Sequence, residues 1–232
     1  MTNLNCTHGR PALIVSLAVM LSACLGGSVT LNDHTRQRLK ADPRPINTLL
    51  FTAAGSSGLQ LTTYESARLA GGSGRQLLAV RDGKRLTDEI ILPHPMATTR
   101  DLFVAQLKSR AGLTRFKLVL EPLDTSLDTP LKLREELGHD LLLDFRGTYH
   151  LVFLPNDHNR YRLLYEGRAR LMNLDNGEIY WQASCKADIE DPSAPTLEQL
   201  RDRRGAKLKG WLQRGAGLCS RQLADHFFAK KS

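Results

Sequence analysis

Polar and apolar residues alternate along a long segment in the middle of the chain. Over 141–153 and again over 161–171 the odd-numbered positions are nearly all apolar, and the even-numbered positions include several charged residues. Because successive side chains of a strand point to opposite faces, this pattern predicts a hairpin that buries one face. The dipeptide Asn176-Gly177 then predicts a tight turn, and alternation resumes from Ile179 to Cys185. We therefore expect a three-stranded antiparallel meander.

A stripe of apolar residues near the C-terminus has helical spacing. Its members follow one another at intervals of four, four, three, four and four: Leu208, Leu212, Ala216, Cys219, Leu223 and Phe227. This spacing predicts one amphipathic helix that packs on the sheet. Gly210, Gly215 and Gly217 weaken such a helix by about 1 kcal/mol each, and we expect them to permit close packing on the sheet.

Shorter elements precede the hairpin. We expect strands at 48–51, 59–64, 76–80 and 116–120, a turn at 81–84, and helices at 98–109 and 131–137. Thr98 is suited to cap the first helix. Thr129-Pro130 opens the second, and Gly138 ends it. Together the elements predict an α/β fold of the α+β type, in which an antiparallel-rich mixed sheet carries the C-terminal helix.

The N-terminus has the layout of a secretory leader. A polar start with the single cation Arg10 precedes a short apolar run, which ends in Leu21-Ser22-Ala23-Cys24. This tetrapeptide matches the lipobox at which bacterial lipoproteins are cleaved and acylated. The pattern predicts a signal peptide over 1–23, a lipid on Cys24, a flexible tether over 24–45 and one periplasmic domain over 46–232. The alternatives are an ordinary secretory signal and a chance cysteine.

The residue after the lipobox cysteine is Leu25, not the Asp that favours retention in the inner membrane. We therefore expect the anchor to lie in the outer membrane, with the domain on its periplasmic face. Two anchoring signals make such attachment lasting, whereas one acyl chain holds a protein only reversibly.

Two cysteines remain in the predicted mature domain, Cys185 and Cys219. The envelope of bacteria is oxidising, so we expect them to form a disulfide. A zinc site and a reactive thiol are the alternatives, and neither cysteine has a histidine or a second cysteine at close ligand spacing. The proposed bridge would join the last strand to the C-terminal helix.

The chain is basic, with a formal net charge of +8. It carries no nucleic-acid-binding motif, and its histidines are scattered, so we expect no metal, no cofactor and no catalytic centre. The outward face of the hairpin combines charged side chains that either form a solvated ion-pair network or dock an acidic partner or glycan. The candidate docking residues are Arg146, His150, Arg162, Glu166, Arg168 and Arg170.

One segment combines a turn with the start of a strand: Asp175-Asn176-Gly177-Glu178-Ile179-Tyr180-Trp181. With the lipobox and the element order, it resembles periplasmic lipoproteins related to the curli-secretion lipoprotein and to the amino-terminal domain of the Tol beta-propeller protein. The resemblance covers about 98–230. It implies this fold and a role in binding envelope proteins, including peptidoglycan synthases. We expect a non-catalytic docking or assembly lipoprotein. A periplasmic hydrolase and a lipid-transport auxiliary are the alternatives.

Overall fold

The computed structural model describes residues 27–52, 58–69, 73–92, 94–124 and 128–229. The predicted leader, Cys6 and Cys24 lie outside these residues, as does part of the segment assigned to the tether. Within the described residues no helix combines the length and the apolar character needed to cross a bilayer.

A mixed sheet of seven strands forms the centre of the fold. The strands are β1 (Ile46–Thr52), β2 (Leu59–Thr62), β3 (Phe116–Leu118), β4 (Leu123–Asp124), β5 (Leu141–Leu154), β6 (Asp157–Asn173) and β7 (Ile179–Ile189). β1 runs parallel to β3 and β4 on one side and to β5 on the other, and β2 pairs with a later part of β5. β5, β6 and β7 form the predicted antiparallel meander.

Six helices accompany the sheet within the described residues. They are α1 (Asp33–Ala41), α2 (Tyr64–Leu69), α3 (Ser73–Ile90), α4 (Pro95–Ala111), α5 (Pro130–Leu137) and α6 (Leu197–Phe228). α4 and α6 cover the apolar face of the sheet and enclose the main core. α5 covers a smaller core on the opposite face, which contains Leu49, Phe51, Leu133 and Leu142. The predicted fold class is confirmed.

The C-terminal stripe is buried along α6, as its spacing predicts. Its six residues, from Leu208 to Phe227, are all at most 3 % exposed. A capping box at Thr196 and Gln199 opens the helix. The chain departs from helical geometry between Asp202 and Gly205. The stripe begins after this kink, so the packed part of the helix is uninterrupted.

The segment 76–84 is a helix and not the strand and turn that the sequence indicated. It lies within α3, where Ala79, Leu86 and Ile90 are buried at helical spacing. A Cβ on Gly83 would lie 2.1 Å from the backbone oxygen of Leu59. Gly83 is therefore present because α3 approaches β2 closely, and its Asp-Gly context does not mark a hairpin turn.

The predicted tether is largely part of the domain. α1 occupies Asp33–Ala41, is capped by the side chain of Asn32, and buries Leu39 together with the preceding Leu31. Val29 pairs with Gln182 of β7 through two backbone hydrogen bonds of 2.9 and 3.0 Å. Two buried leucines and a strand-like contact fix this segment, although it contains too few apolar residues to show a clear period in the sequence.

α4 begins three residues before the predicted cap. Pro95 occupies the first turn, and His94 stands at the cap position without a capping hydrogen bond from its side chain. Thr98 therefore does not cap the helix. Its neighbour Thr99 points into the core, where its hydroxyl lies 2.5 Å from the hydroxyl of Tyr165.

Candidate functional site

The outward-pointing residues of β5, β6 and β7 form a charged surface on the side of the sheet opposite α4 and α6, and we call it the outer face. Arg146 of β5 lies directly opposite Arg168 of β6, and Asp144 lies opposite Arg170. Like charges at directly opposed positions destabilise a sheet unless other groups compensate them. The outer face therefore contains one favourable and one unfavourable cross-strand pair side by side.

A buried ion pair anchors this part of the face. Asp144 is fully buried, and the Nε of Arg170 donates a 2.7 Å hydrogen bond to its carboxylate. Burial raises the pKa of the Asp144 carboxyl above its ordinary value, although Arg170 opposes this shift. The terminal nitrogen of Arg170 also donates a 2.5 Å bond to Asp128, which reaches the face from the segment before α5.

Asp128 bridges the arginines. Besides Arg170 it forms an ion pair with Arg146, and the nearest nitrogen of Arg168 is 4.0 Å from its carboxylate. Burial alone would raise the pKa of Asp128, but the guanidinium groups of Arg146 and Arg170 outweigh burial and lower it. One carboxylate thus serves three cations. We call Asp128, Asp144, Arg146, Arg168 and Arg170 the arginine cluster.

The arginine cluster has an excess of positive charge, since three guanidinium groups face two carboxylates. The Nε atoms of Arg146 and Arg168 are buried and have no hydrogen-bond acceptor among the described residues. Burial and the nearby charge of Arg146 lower the pKa of Arg168. The side chains of Arg146 and Arg168 are 23 % and 17 % exposed, respectively, so an anion can approach them from solvent.

The other end of the outer face is balanced. Arg162 contacts Asp188 and Glu190 at 3.0 Å each, and Glu166 pairs with Lys186 at 2.9 Å. These exposed cross-strand pairs contribute at most about 1 kcal/mol each. His150 is half-buried and lies within this end, between the rows of Glu166 and Arg162. Burial lowers its pKa, which keeps it neutral at neutral pH.

The structure therefore divides the six predicted docking residues into groups. Arg146 and Arg168 belong to the arginine cluster, while His150, Arg162 and Glu166 lie toward the balanced end. Arg170 is 8 % exposed, and its guanidinium is occupied by the carboxylates of Asp128 and Asp144, so the structure does not place it at the surface.

Sequence analysis missed Asp128 and the opposition of Arg146 and Arg168. Phe153 and Tyr161, the residues that end the first alternating segment and begin the second, are paired. Counting back from them places Arg146 opposite Arg168, so the register carried this signal. Asp128 is a single acid outside the hairpin, and no pattern in the sequence connects it to the sheet.

The structure joins Cys185 of β7 to Cys219 of α6 by a disulfide, with their Cα atoms 5.0 Å apart. Gly167 makes room for it, since a Cβ there would lie 2.9 and 3.1 Å from the two sulfurs. Gly147, directly opposite Gly167, would meet the methyl group of Met96. The paired glycines thus admit the disulfide and Met96 into the core.

A small cavity of about 180 Å³ lies on the other side of the sheet. Its lining is mostly apolar and includes Leu59, Leu92, Leu212, His94 and Tyr149. Burial, together with the charge of Arg100, lowers the pKa of His94. The volume lies below the range of about 300–1,000 Å³ that drug-sized ligands occupy, so this cavity does not provide the large groove expected of a lipid carrier.

Among the described residues, no group of three or more His, Cys, Asp or Glu side chains is arranged to hold a metal ion.

No protein-family profile and no curated protein matches the chain. Similar solved structures include PelC from Paraburkholderia phytofirmans, a dodecamer, with 8% identity, coverage of 82% of this chain and 89% of that chain, and a TM-score of 0.35. Lipoprotein GNA1162 from Neisseria meningitidis has 13% identity, 72% and 97% coverage, and a TM-score of 0.32. The LpoB C-terminal domain from Salmonella enterica has 16% identity, 67% and 91% coverage, and a TM-score of 0.20. At these values the likeness identifies no family.

Proposed function

We propose that this protein is a bacterial lipoprotein, held by a lipid on Cys24 at the periplasmic face of the outer membrane, and that it docks an envelope protein without catalysing a reaction. The observation that carries the proposal is the lipobox Leu21-Ser22-Ala23-Cys24. The disulfide between Cys185 and Cys219 supports it, because disulfides persist in oxidising compartments. The resemblance of the turn and strand at 175–181 to lipoproteins that bind envelope proteins also supports the proposal.

The balanced end of the outer face is the surface that we assign to the protein partner. Arg162, Glu166 and Lys186 hold charges of both signs on a flat three-stranded surface. Complementary charges of this kind favour the correct partner and orientation more than they raise affinity. Thr148 is exposed and lies opposite Glu166, at the border between this surface and the arginine cluster.

Site-specific photocrosslinking in intact cells tests the proposal. A crosslinking amino acid replaces Thr148, and a control protein carries it instead at Leu77 of α3, which is 71 % exposed. We expect a discrete adduct with one envelope protein from position 148 and none from position 77. The absence of any adduct from position 148 under several growth conditions, with the protein present at normal levels, would contradict docking at this surface.

A further inference from the structure

Cations outnumber carboxylates among the described residues of the arginine cluster. Arg146 and Arg168 are directly opposed, both lie beside the carboxylate of Asp128, and have buried Nε atoms without a hydrogen-bond acceptor among the described residues. The Nε of Arg146 is also 3.9 Å from the carboxylate of Asp144, which is too far for a hydrogen bond. Phe51 lies under Arg146, 4.4 Å from its guanidinium carbon, and holds that group in place. Ser184, which is exposed and lies opposite Arg168 on β7, adds a hydroxyl beside the pair.

The chemistry of the pair selects an oxyanion with several oxygens. A guanidinium group donates parallel hydrogen bonds to phosphate or carboxylate, and such charge-assisted bonds are stronger than neutral ones. An anion between Arg146 and Arg168 would convert their repulsion into two attractions. Asp128 alone does not do this, because its carboxylate is also engaged by Arg170 at 2.5 Å.

The N-terminal segment reaches the domain beside this cluster. The side chain of Gln182 donates a 2.8 Å hydrogen bond to the backbone oxygen of Gly27, and Gln182 lies opposite Arg170. Arg168 is two residues from Arg170 along the same strand, which corresponds to about 7 Å. Cys24 is three residues before Gly27, and three residues span at most about 11 Å.

These positions make the membrane the nearest source of phosphate. A lipid on Cys24 would hold Gly27 within about 11 Å of the lipid attachment point, and Gly27 contacts the Gln182 edge of the sheet. We propose that Arg146 and Arg168 bind the phosphate group of a membrane phospholipid and thereby orient the domain on its anchor. This inference rests on the proposed anchor for the source of the phosphate.

The experiment uses the full protein extracted from membranes in a nonionic detergent. Dihexanoyl-phosphatidylglycerol and inorganic phosphate are titrated separately, and binding is measured by calorimetry. We expect the short-chain lipid to bind and to raise the melting temperature of the wild type, since ligands that bind only the native state stabilise it. Arg168→Gln and Arg146→Gln each remove a charged hydrogen-bond donor and should weaken binding roughly tenfold to hundredfold.

Arg162→Gln is the matched control, because Arg162 lies on the same face and also has a buried Nε without an acceptor among the described residues. Unlike the pair in the cluster, it has no directly opposed arginine, and its terminal nitrogen contacts Asp188 and Glu190. It should bind the lipid within about twofold of the wild type. Arg168→Gln removes one of two opposed like charges, so it should melt no lower than the wild type in the absence of lipid. A binding loss in a variant with undiminished melting temperature therefore reports the site and not misfolding.

Three outcomes would overturn the proposal: no binding of either anion, equal binding by the wild type and Arg168→Gln, or inorganic phosphate binding at least as tightly as the lipid. The last outcome would identify a site for a free anion instead. A failure of the anchor is distinguishable, since lipid binding at Arg146 and Arg168 would then persist in a protein that carries no fatty acid on Cys24.

Discussion

Gly215 and Gly210 occupy the same helix in opposite environments. A Cβ on Gly215 would lie 2.6 Å from a ring carbon of Tyr165 on β6, whereas a Cβ on Gly210 would have no neighbour within 4 Å. We predict that Gly210→Ala raises the free energy of unfolding and that Gly215→Ala does not raise it. The comparison tests whether α6 packs on the sheet through a glycine contact.

The magnitudes follow from two opposing effects. Replacing glycine by alanine inside a helix stabilises the folded protein by about 1 kcal/mol at either position, because alanine has the higher helix propensity. At Gly215 the added methyl group also overpacks the core, which typically costs about 1–3 kcal/mol. Tyr165 cannot move aside, because it is fully buried and its hydroxyl donates a 3.1 Å hydrogen bond to the backbone oxygen of Pro95.

Equilibrium unfolding in urea, with the disulfide intact, measures both variants. Gly210→Ala should be about 1 kcal/mol more stable than the wild type, and Gly215→Ala should range from no change to a loss of about 2 kcal/mol. Gly217→Ala is a second control, because its nearest neighbour would be a side-chain nitrogen of Arg221 at 3.8 Å. If Gly215→Ala stabilised the protein as much as Gly210→Ala does, the close contact between α6 and β6 would be refuted.

Three further variants probe the core and its charges. The disulfide spans 34 residues, so Cys185→Ser should lower the free energy of unfolding by about 4 kcal/mol by the chain-entropy argument, measured against the oxidised wild type in urea. Asp144→Asn leaves Arg170 with one carboxylate and should cost about 3 kcal/mol in the same assay. Burial lowers the pKa of His94, so the unfolded chain takes up more protons below about pH 6.5 and stability should fall there. His94→Gln should lose less stability than the wild type between pH 7.5 and pH 5.5.

Each of these predictions has a matched comparison. Reduction of the wild type should reproduce most of the loss of stability seen in Cys185→Ser. A protein that is equally stable with and without the disulfide would contradict the prediction for the bridge. Asp188 forms an exposed pair with Arg162, so Asp188→Asn should cost at most about 1 kcal/mol. An equal cost for Asp188→Asn and Asp144→Asn would contradict the prediction for the buried pair. His150, whose pKa is also lowered by burial, titrates in the same direction, so an unchanged pH dependence in His94→Gln would assign the effect to His150.

The second half of the chain was largely predictable because its elements bury one face of a strand or helix. The hairpin and the stripe of α6 each show a clear period in the sequence, and Asn176-Gly177 is a typical turn dipeptide. The structure contains all three. The turn glycine Gly177 has φ of 72°, as such a turn requires. The elements are longer than their predicted segments: β5 and β6 extend to Leu154 and Asp157, β7 extends to Ile189, and α6 begins at Leu197.

The N-terminal half was harder to predict because its elements are held by tertiary contacts. α3 contains Gly83, which favours a turn by composition but is required by the approach to Leu59. α1 has few apolar residues, and it is fixed by Leu39 and by the pairing of Val29 with Gln182. For the candidate site, the charged face was visible in the sequence, but the bridging by Asp128 depends on a contact that no local pattern encodes.

The lipid on Cys24 is the central claim, and metabolic labelling with an alkyne analogue of palmitate tests it most directly. Cells that produce the wild-type protein should yield a labelled band in the membrane fraction, and Cys24→Ala should abolish the label and leave the leader uncleaved by the lipoprotein pathway. A wild-type protein that stays unlabelled, or a Cys24→Ala variant with the same label and fractionation, would contradict the account.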